Sequence, residues 1–308
     1  MLTINELVKS YGGLVAVDHI SFEVREGEIF GVLGPNGAGK STTINMIASL
    51  LKPDGGSILL DGTDIASLGE RYRRVLGLVP QEVAIYEELS ARENLSFWAS
   101  LYGLRGAKRR NRLDEVLDLS GLKERQEEPV KSFSGGMKRR LNMAIGLVHK
   151  PRLLLLDEPT VGIDPQGRHR MLDTVRHVAS EKTSIIYTTH YLDEAEALCD
   201  RLVIIDHGRR LAMGSQEEIK GIVGENRLLR IVGGFERDAA ESLPREMPEL
   251  SLVALGEDEA TYALPMSVGT GQFLEKLVNR GFKIDNLSIK EPSLDSVFIK
   301  LTGRELRD

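Results

Sequence analysis

The octapeptide Gly34-Pro35-Asn36-Gly37-Ala38-Gly39-Lys40-Ser41 is a complete phosphate-binding loop, set between a strand-like run, Glu28 to Leu33, and a helix-like run, Thr42 to Leu51. Its glycines let consecutive backbone N–H groups converge on phosphate oxygens, and the start of the following helix adds positive potential. Lys40 reaches the terminal phosphates, and the Ser41 hydroxyl can hold Mg2+. A turn that merely joins a strand to a helix needs one glycine and no Lys-Ser pair. The chain is therefore expected to bind a nucleoside triphosphate on an α/β core. Kinases, GTPases, helicases and transport ATPases share such a loop, and residues further along must choose among them.

At 308 residues the chain suits two domains, the larger with ample length to bury a core. Hydrophobic residues at 41% and charged residues at 28% describe a folded, soluble protein, and the formal charge of −6 disfavours a nucleic-acid surface. The basic runs Lys108-Arg109-Arg110 and Lys138-Arg139-Arg140 then read as solvated helix faces. Cys199 is the only cysteine, so no intrachain disulfide and no Cys/His metal cluster can form, which fits a reducing compartment. Met1 to Gly13 lacks a basic-then-apolar signal segment, and apolar runs such as Leu153 to Leu156 are too short to span a bilayer. The expectation is a protein neither secreted nor membrane-spanning.

Two short strands, Leu2 to Leu7 and Ile20 to Val24, are expected first, with Tyr11 in the loop between them. Gly55 to Gly62 reads as a strand bracketed by turn residues. From about Glu87 to Gly146 apolar positions such as Leu113, Val116, Leu117 and Leu119 recur at helical steps, which predicts a helical block (87–146) inserted into the α/β core. Arg152 to Leu156, Ser184 to Thr188 and Arg201 to Ile205 are short apolar runs separated by helix-length segments. That alternation predicts parallel strands covered by helices, with active residues at the strands' C-terminal ends, where Asp157 and His190 stand. Ser215 and Glu218 form a capping-box pattern opening a short helix that Gly221 and Gly224 close. The domain boundary is placed there, giving residues 1–222 and 223–308.

The second domain reads as strand Leu228 to Val232, helix Asp238 to Arg245, strands Leu250 to Leu255 and Ala260 to Leu264, helix Gln272 to Arg280, strand Lys283 to Ile289, and a last helix from Ser293. This β-α-β-β-α-β order is that of a ferredoxin-like sandwich, and the segment carries no visible chemistry. The predicted fold class is α/β: a P-loop NTPase core with an inserted helical subdomain, plus a small C-terminal α+β domain.

The phosphate loop is followed, in order, by Gln81, by Phe133-Ser134-Gly135-Gly136-Met137, by Leu153-Leu154-Leu155-Leu156-Asp157-Glu158-Pro159, by Gly162-Ile163-Asp164-Pro165 and by His190. Across roughly the first 220 residues this order and spacing resemble the nucleotide-binding subunit of an ATP-binding cassette (ABC) transporter. The resemblance implies ATP and Mg2+ as cofactors and ATP hydrolysis as the activity. Gly34, Pro35, Asn36, Gly37, Ala38, Gly39, Lys40, Ser41 and Thr42 would hold the phosphates. Asp157, delivered by a buried strand, would reach Mg2+ through water, with Ser41 and Gln81 as further metal contacts. Glu158 would polarise the attacking water as general base. His190 would contact the terminal phosphate, while His19, His149, His169, His177 and His207 have no such setting. Tyr11, twenty-three residues before Gly34, matches the family's adenine-stacking ring.

Ser134-Gly135-Gly136 opens a predicted helix, a start suited to an anion. In the family this signature meets the terminal phosphate held by a different subunit. One cassette per chain thus implies a homodimer bridged by ATP. Met137, where glutamine is usual, occurs in exporters whose membrane partner is of the type 2 kind; Val161, where serine often stands, has no reading. The tail Glu291 to Phe298 resembles the end of the accessory domain of drug- and polysaccharide-type exporter ATPases. The implied protein powers a bacterial exporter from the cytoplasmic side of the membrane, docked on a separate permease through the helical block near Gln81, Glu87 and Glu88. Its C-terminal domain either stabilises the dimer or gates activity. A soluble cassette ATPase acting on ribosomes or DNA is the alternative, yet this chain has neither the paired cassettes nor the long coiled coils usual there. A regulatory GTPase would need an Asn-Lys-X-Asp motif, which the sequence lacks.

Overall fold

The computed structural model describes residues 1–222, 226–265, 268–291 and 293–302. The chain divides into two compact units between Gln216 and Glu217. The first opens with a hairpin, β1 (Leu2–Tyr11) and β2 (Leu14–Val24), turned by Gly12 and Gly13, both at positive φ. This corrects the two short strands and the loop expected for Tyr11, which is a strand residue paired with Leu14. The outer half of the hairpin is largely exposed and interrupted by register shifts, so it lacks the clean apolar alternation that marks a half-buried strand.

After β3 (Ile29–Leu33) and α1 (Lys40–Ile47) come β4 (Gly55–Leu60) and β5 (Thr63–Asp64), which complete a four-stranded antiparallel sheet ordered β2-β1-β4-β5. Helices α2 (Ile65–Leu68) and α3 (Glu70–Val75) lead into β6 (Leu76–Val79). The helical block is α4 (Ala91–Leu101), α5 (Gly106–Leu119) and α6 (Gly135–Leu147). A capping box at Ser90 and Glu93 starts α4, and Ser134 caps α6.

The core resumes with β7 (Leu153–Asp157), α7 (Pro165–Ser180), β8 (Ser184–Thr189), α8 (Leu192–Leu198), β9 (Arg201–Asp206) and β10 (Arg209–Ser215), and the short helix α9 (Gln216–Gly221) runs across the division between the units. The six-stranded sheet runs β10-β9-β3-β8-β7-β6, parallel throughout except for β10. Every residue of β3, β7 and β8 is buried, as expected for strands covered on both faces. Leu2, Ile4 and Phe22 of the small sheet share one apolar core with Ile44 of α1 and Leu155, Ile186 and Val203 of the large one. Phe22 and Phe30 stack at 4.8 Å within it. Because α1 lies in this core and begins at Lys40, packing fixes the end of the phosphate loop.

The second unit contains β11 (Asn226–Gly234), α10 (Arg237–Glu246), β12 (Ser251–Leu255), β13 (Glu259–Pro265), α11 (Thr270–Asn279), β14 (Lys283–Lys290) and α12 (Leu294–Thr302). Its sheet is ordered β12-β13-β11-β14, with each neighbouring pair antiparallel. That is ferredoxin-like topology: β11 and β12 flank the intervening β13, as a split β-α-β unit requires. Leu243 and Phe273 from the two helices pack on Leu229, Ile231 and Tyr262 of the sheet. Gly224 of the expected helix stop and Pro292 of the tail motif lie outside the described residues.

Candidate active site

Glycine at positions 34 and 39 is dictated by contact. A Cβ on Gly34 would stand 2.2 Å from the Ile205 carbonyl oxygen, and one on Gly39, at φ +102°, would stand 2.4 Å from that of Ala16. The loop is thus pinned between β9 and the hairpin strand β2. Gly39→Ala should cost about 2–3 kcal/mol of stability through strain and clash, and weaken nucleotide binding with it. Thermal unfolding and nucleotide titration check both effects.

Lys40 is buried, and its Nζ donates to the carbonyls of Gly34 at 2.7 Å and Pro35 at 3.0 Å. The same ammonium forms an ion pair with Glu158 Oε1 at 2.9 Å. Glu158 stands immediately beyond β7, with φ at +45°, a backbone region that side chains other than glycine seldom adopt. Its N–H donates to Thr188 Oγ1 at 2.9 Å, while that hydroxyl donates to Asp157 Oδ1 at 2.7 Å. One threonine therefore orients both acidic residues.

Glu158 Oε1 also lies 3.2 Å from His190 Nδ1, and Oε2 accepts from Gln81 Nε2 at 3.0 Å. Burial works against ionisation of Glu158, but Lys40 and then His190 outweigh it and hold the carboxyl below its ordinary value. Asp157 goes the other way. Burial raises its carboxyl above the ordinary value, against hydrogen bonds from the Thr188 and Ser41 hydroxyls. The structure thus gathers Lys40, Ser41, Gln81, Asp157, Glu158 and His190 at the C-terminal edge of the parallel strands, where open α/β sheets take their ligands.

Two expected binding elements lie on other segments, the hairpin end and the start of α6. Tyr11 is 48% exposed at the hairpin end, with Lys9 Nζ 5.8 Å from its ring centroid. Ser134 and Gly135 are exposed at the start of α6, where the Ser134 hydroxyl accepts from Met137 N. A Cβ on Gly136 would lie 3.5 Å from Asp164 Oδ1, so the signature turn faces the Gly162–Asp164 loop of its own chain. Thr42 is half-buried in the first turn of α1.

The run Lys138-Arg139-Arg140 is not the solvated face expected of it. Lys138 pairs with Glu87 at 2.5 Å, Arg139 Nη1 donates to the Gln81 carbonyl, and Arg140 Nε is buried. Asn142, also on α6, donates to the Pro80 carbonyl at 3.2 Å and accepts from Ala84 N at 3.2 Å. Helix α6 therefore grips the loop that carries Gln81. Thr188, Arg139 and Asn142 were not legible as site residues: only Thr188, two positions before His190, had a sequence neighbour to suggest it.

The ABC transporter family pattern matches residues 17–161. The linearmycin resistance ATP-binding protein LnrL of Bacillus subtilis is 40% identical, with 100% of each chain covered. The daunorubicin/doxorubicin resistance ATP-binding protein DrrA of Streptomyces peucetius is also 40% identical, over 98% of this chain and 92% of that one. Among solved structures, an ATP-binding subunit of an ABC transporter is 34% identical, with a TM-score of 0.67 over 73% of this chain and 93% of that chain. The chain belongs to the ATP-binding subunits of ABC transporters, an ATPase whose cofactors are ATP and Mg2+.

Proposed function

We propose that this protein powers a bacterial export system, in which two copies close over two ATP molecules and drive a separate transmembrane permease of the type 2 kind. The observation that carries the reading is the division of the site. Lys40, Gln81, Glu158 and His190 converge in a buried cluster, whereas Ser134 and Gly135 of the same chain are exposed on another element. An exposed helix start, with the positive end of its dipole toward solvent, suits a phosphate brought by a second copy. LnrL and DrrA, named for drug resistance and alike over nearly the whole length, favour export over action on ribosomes or DNA. No described helix is long and apolar enough to cross a membrane. The likeness to LnrL and DrrA leads the reading to assign translocation to a permease and a peripheral place on the cytoplasmic face to this chain. Residues 1–222 form the ATPase domain of this reading and 223–308 its accessory domain.

In the proposed site, loop residues 34–42 bind the phosphates, Lys40 releases Glu158 to meet the terminal phosphate, and Tyr11 stacks on the base. Ser41, Asp157 and Gln81 offer only oxygen donors to a metal, the hard set that suits Mg2+, and Ser41 already hydrogen-bonds Asp157. Bound Mg2+ supplies charge neutralisation at the phosphate oxygens. The freed Glu158 carboxylate accepts the proton of the attacking water, which the Gln81 amide orients. His190 donates toward the terminal phosphate, and Ser134, Gly135 and Gly136 of the other copy close the site.

ATP turnover per molecule should fall steeply as the full chain is diluted through its dimer dissociation range. A specific rate that stays constant far below that range removes the shared site. The membrane assignment is tested separately, by co-purification with a polytopic protein from detergent-solubilised membranes against co-sedimentation with ribosomes.

A further inference from the structure

Glu194 is a carboxylate the chemistry above does not use, and it is 1% exposed on α8. Its Oε1 accepts from Arg168 Nε at 2.6 Å, and its Oε2 accepts from the hydroxyls of Tyr187 and Thr189, each at 2.8 Å. Thr189 Oγ1 in turn accepts from the Tyr191 N–H at 2.9 Å. The residues on either side of His190 are thereby tied to one buried anion. Arg168 completes the arrangement. Its guanidinium holds Asp193 at 2.9 and 3.0 Å and lies 4.5 Å from the Tyr191 ring centroid, and that ring sits 4.1 Å from the imidazole of His190.

A histidine at a strand end has two backbone torsions and two side-chain torsions to fix before it can address a phosphate. The strand ladder settles β8 only as far as Thr189. Beyond it, the Thr189 hydroxyl and the Tyr191 ring brace the turn alongside the contact of His190 with Glu158. A buried carboxylate that keeps three donors, one of them cationic, makes a stiff anchor, because each bond is charge-assisted and shielded from water.

We propose that Glu194 is a positioning residue for His190, acting through the Thr189 hydroxyl and through the Arg168–Tyr191 stack. Arg168 sits one turn into α7, whose N-cap is Asp164, the residue that faces Gly136. The anchor therefore joins the element beside the signature turn to the residue expected at the chain's own terminal phosphate. The inference rests on the reading of His190 given above.

Two variants of similar burial separate positioning from simple structural support. Thr189→Val and Tyr187→Phe each remove one hydrogen bond to the same Glu194 oxygen, but only the first breaks the link to the Tyr191 N–H. In steady-state ATP turnover by the full chain, Thr189→Val should lower kcat about tenfold with KM for ATP within about twofold, because misplacement acts on the chemical step. Thr189→Ser should restore it, and Tyr187→Phe should stay within about twofold of wild type. On a His190→Ala background Thr189→Val should add nothing, since both act through one group. Wild-type kcat for Thr189→Val, equal losses for Tyr187→Phe, or an additive loss on His190→Ala each overturn the proposal. If Thr189→Val does not fold, Glu194→Gln, which keeps the shape and drops the charge, carries the same expectation and the same refutation. An unchanged turnover for His190→Ala sinks the reading of His190 itself, whereas a drop there with no effect of Thr189→Val sinks this inference alone.

Discussion

Glu158→Gln should bind ATP nearly as well as wild type while turnover falls about a thousandfold, the loss expected when a general base is removed from a positioned water. The amide keeps the side chain's shape, and its oxygen can still accept from Lys40, which the carboxylate meets at 2.9 Å. What it cannot do is take up a proton. With closure intact and hydrolysis stalled, ATP-bound pairs of chains should accumulate. Light scattering after size-exclusion chromatography with ATP would show them, and a phosphate-release assay would show the stall. Normal phosphate release from this variant would remove Glu158 from the reaction.

Lys40→Ala should be costly twice. ATP affinity should fall about a hundredfold, close to 2.7 kcal/mol, because the charge-assisted contacts to the terminal phosphates are lost. The protein without nucleotide should also lose about 3 kcal/mol, since Glu158 is left as a buried carboxylate without its main cation. The two effects come apart in the double variant. Lys40→Ala with Glu158→Gln should regain stability, because no uncompensated anion remains, yet regain no affinity. Chemical denaturation and calorimetric ATP titration on the same samples make the comparison. Equal stability of the single and double variants would mean that the ion pair contributes nothing to the resting fold.

The phosphate loop is readable from residue types that phosphate binding demands, whereas Asp157, Glu158 and His190 are picked out by the family's order of motifs, and the fold brings them together. The buried strands were legible from residue types too, since Leu153 to Leu156 and Ile185 to Tyr187 can sit only in a sheet covered on both sides. Legibility fails where a polar side chain is recruited by tertiary packing. Glu194 lies in the acidic stretch Asp193-Glu194-Ala195-Glu196, which reads as a solvated helix start until the fold brings Arg168 and two hydroxyls around it. Arg139 is similar: nothing local distinguishes it from Lys138 or Arg140, and only the approach of the Gln81 carbonyl gives it a task. Tyr11 fails in the opposite direction. Its strand is real, but the exposed half of the hairpin has no buried face to impose a period on the sequence.

Helix α6 begins at the serine-glycine turn and, within two further turns, holds the Pro80–Ala84 loop through Arg139 and Asn142. If a second copy docks at its exposed start, as proposed, any tilt of this short helix would carry with it the loop whose Gln81 amide touches Glu158. In that reading, pairing of chains and the setting of the proposed base share one mechanical coordinate. Thermodynamic reciprocity follows: whatever clamps the Pro80–Ala84 loop from outside, a permease included, must alter the tendency of the chains to pair by the same factor that pairing alters its own grip.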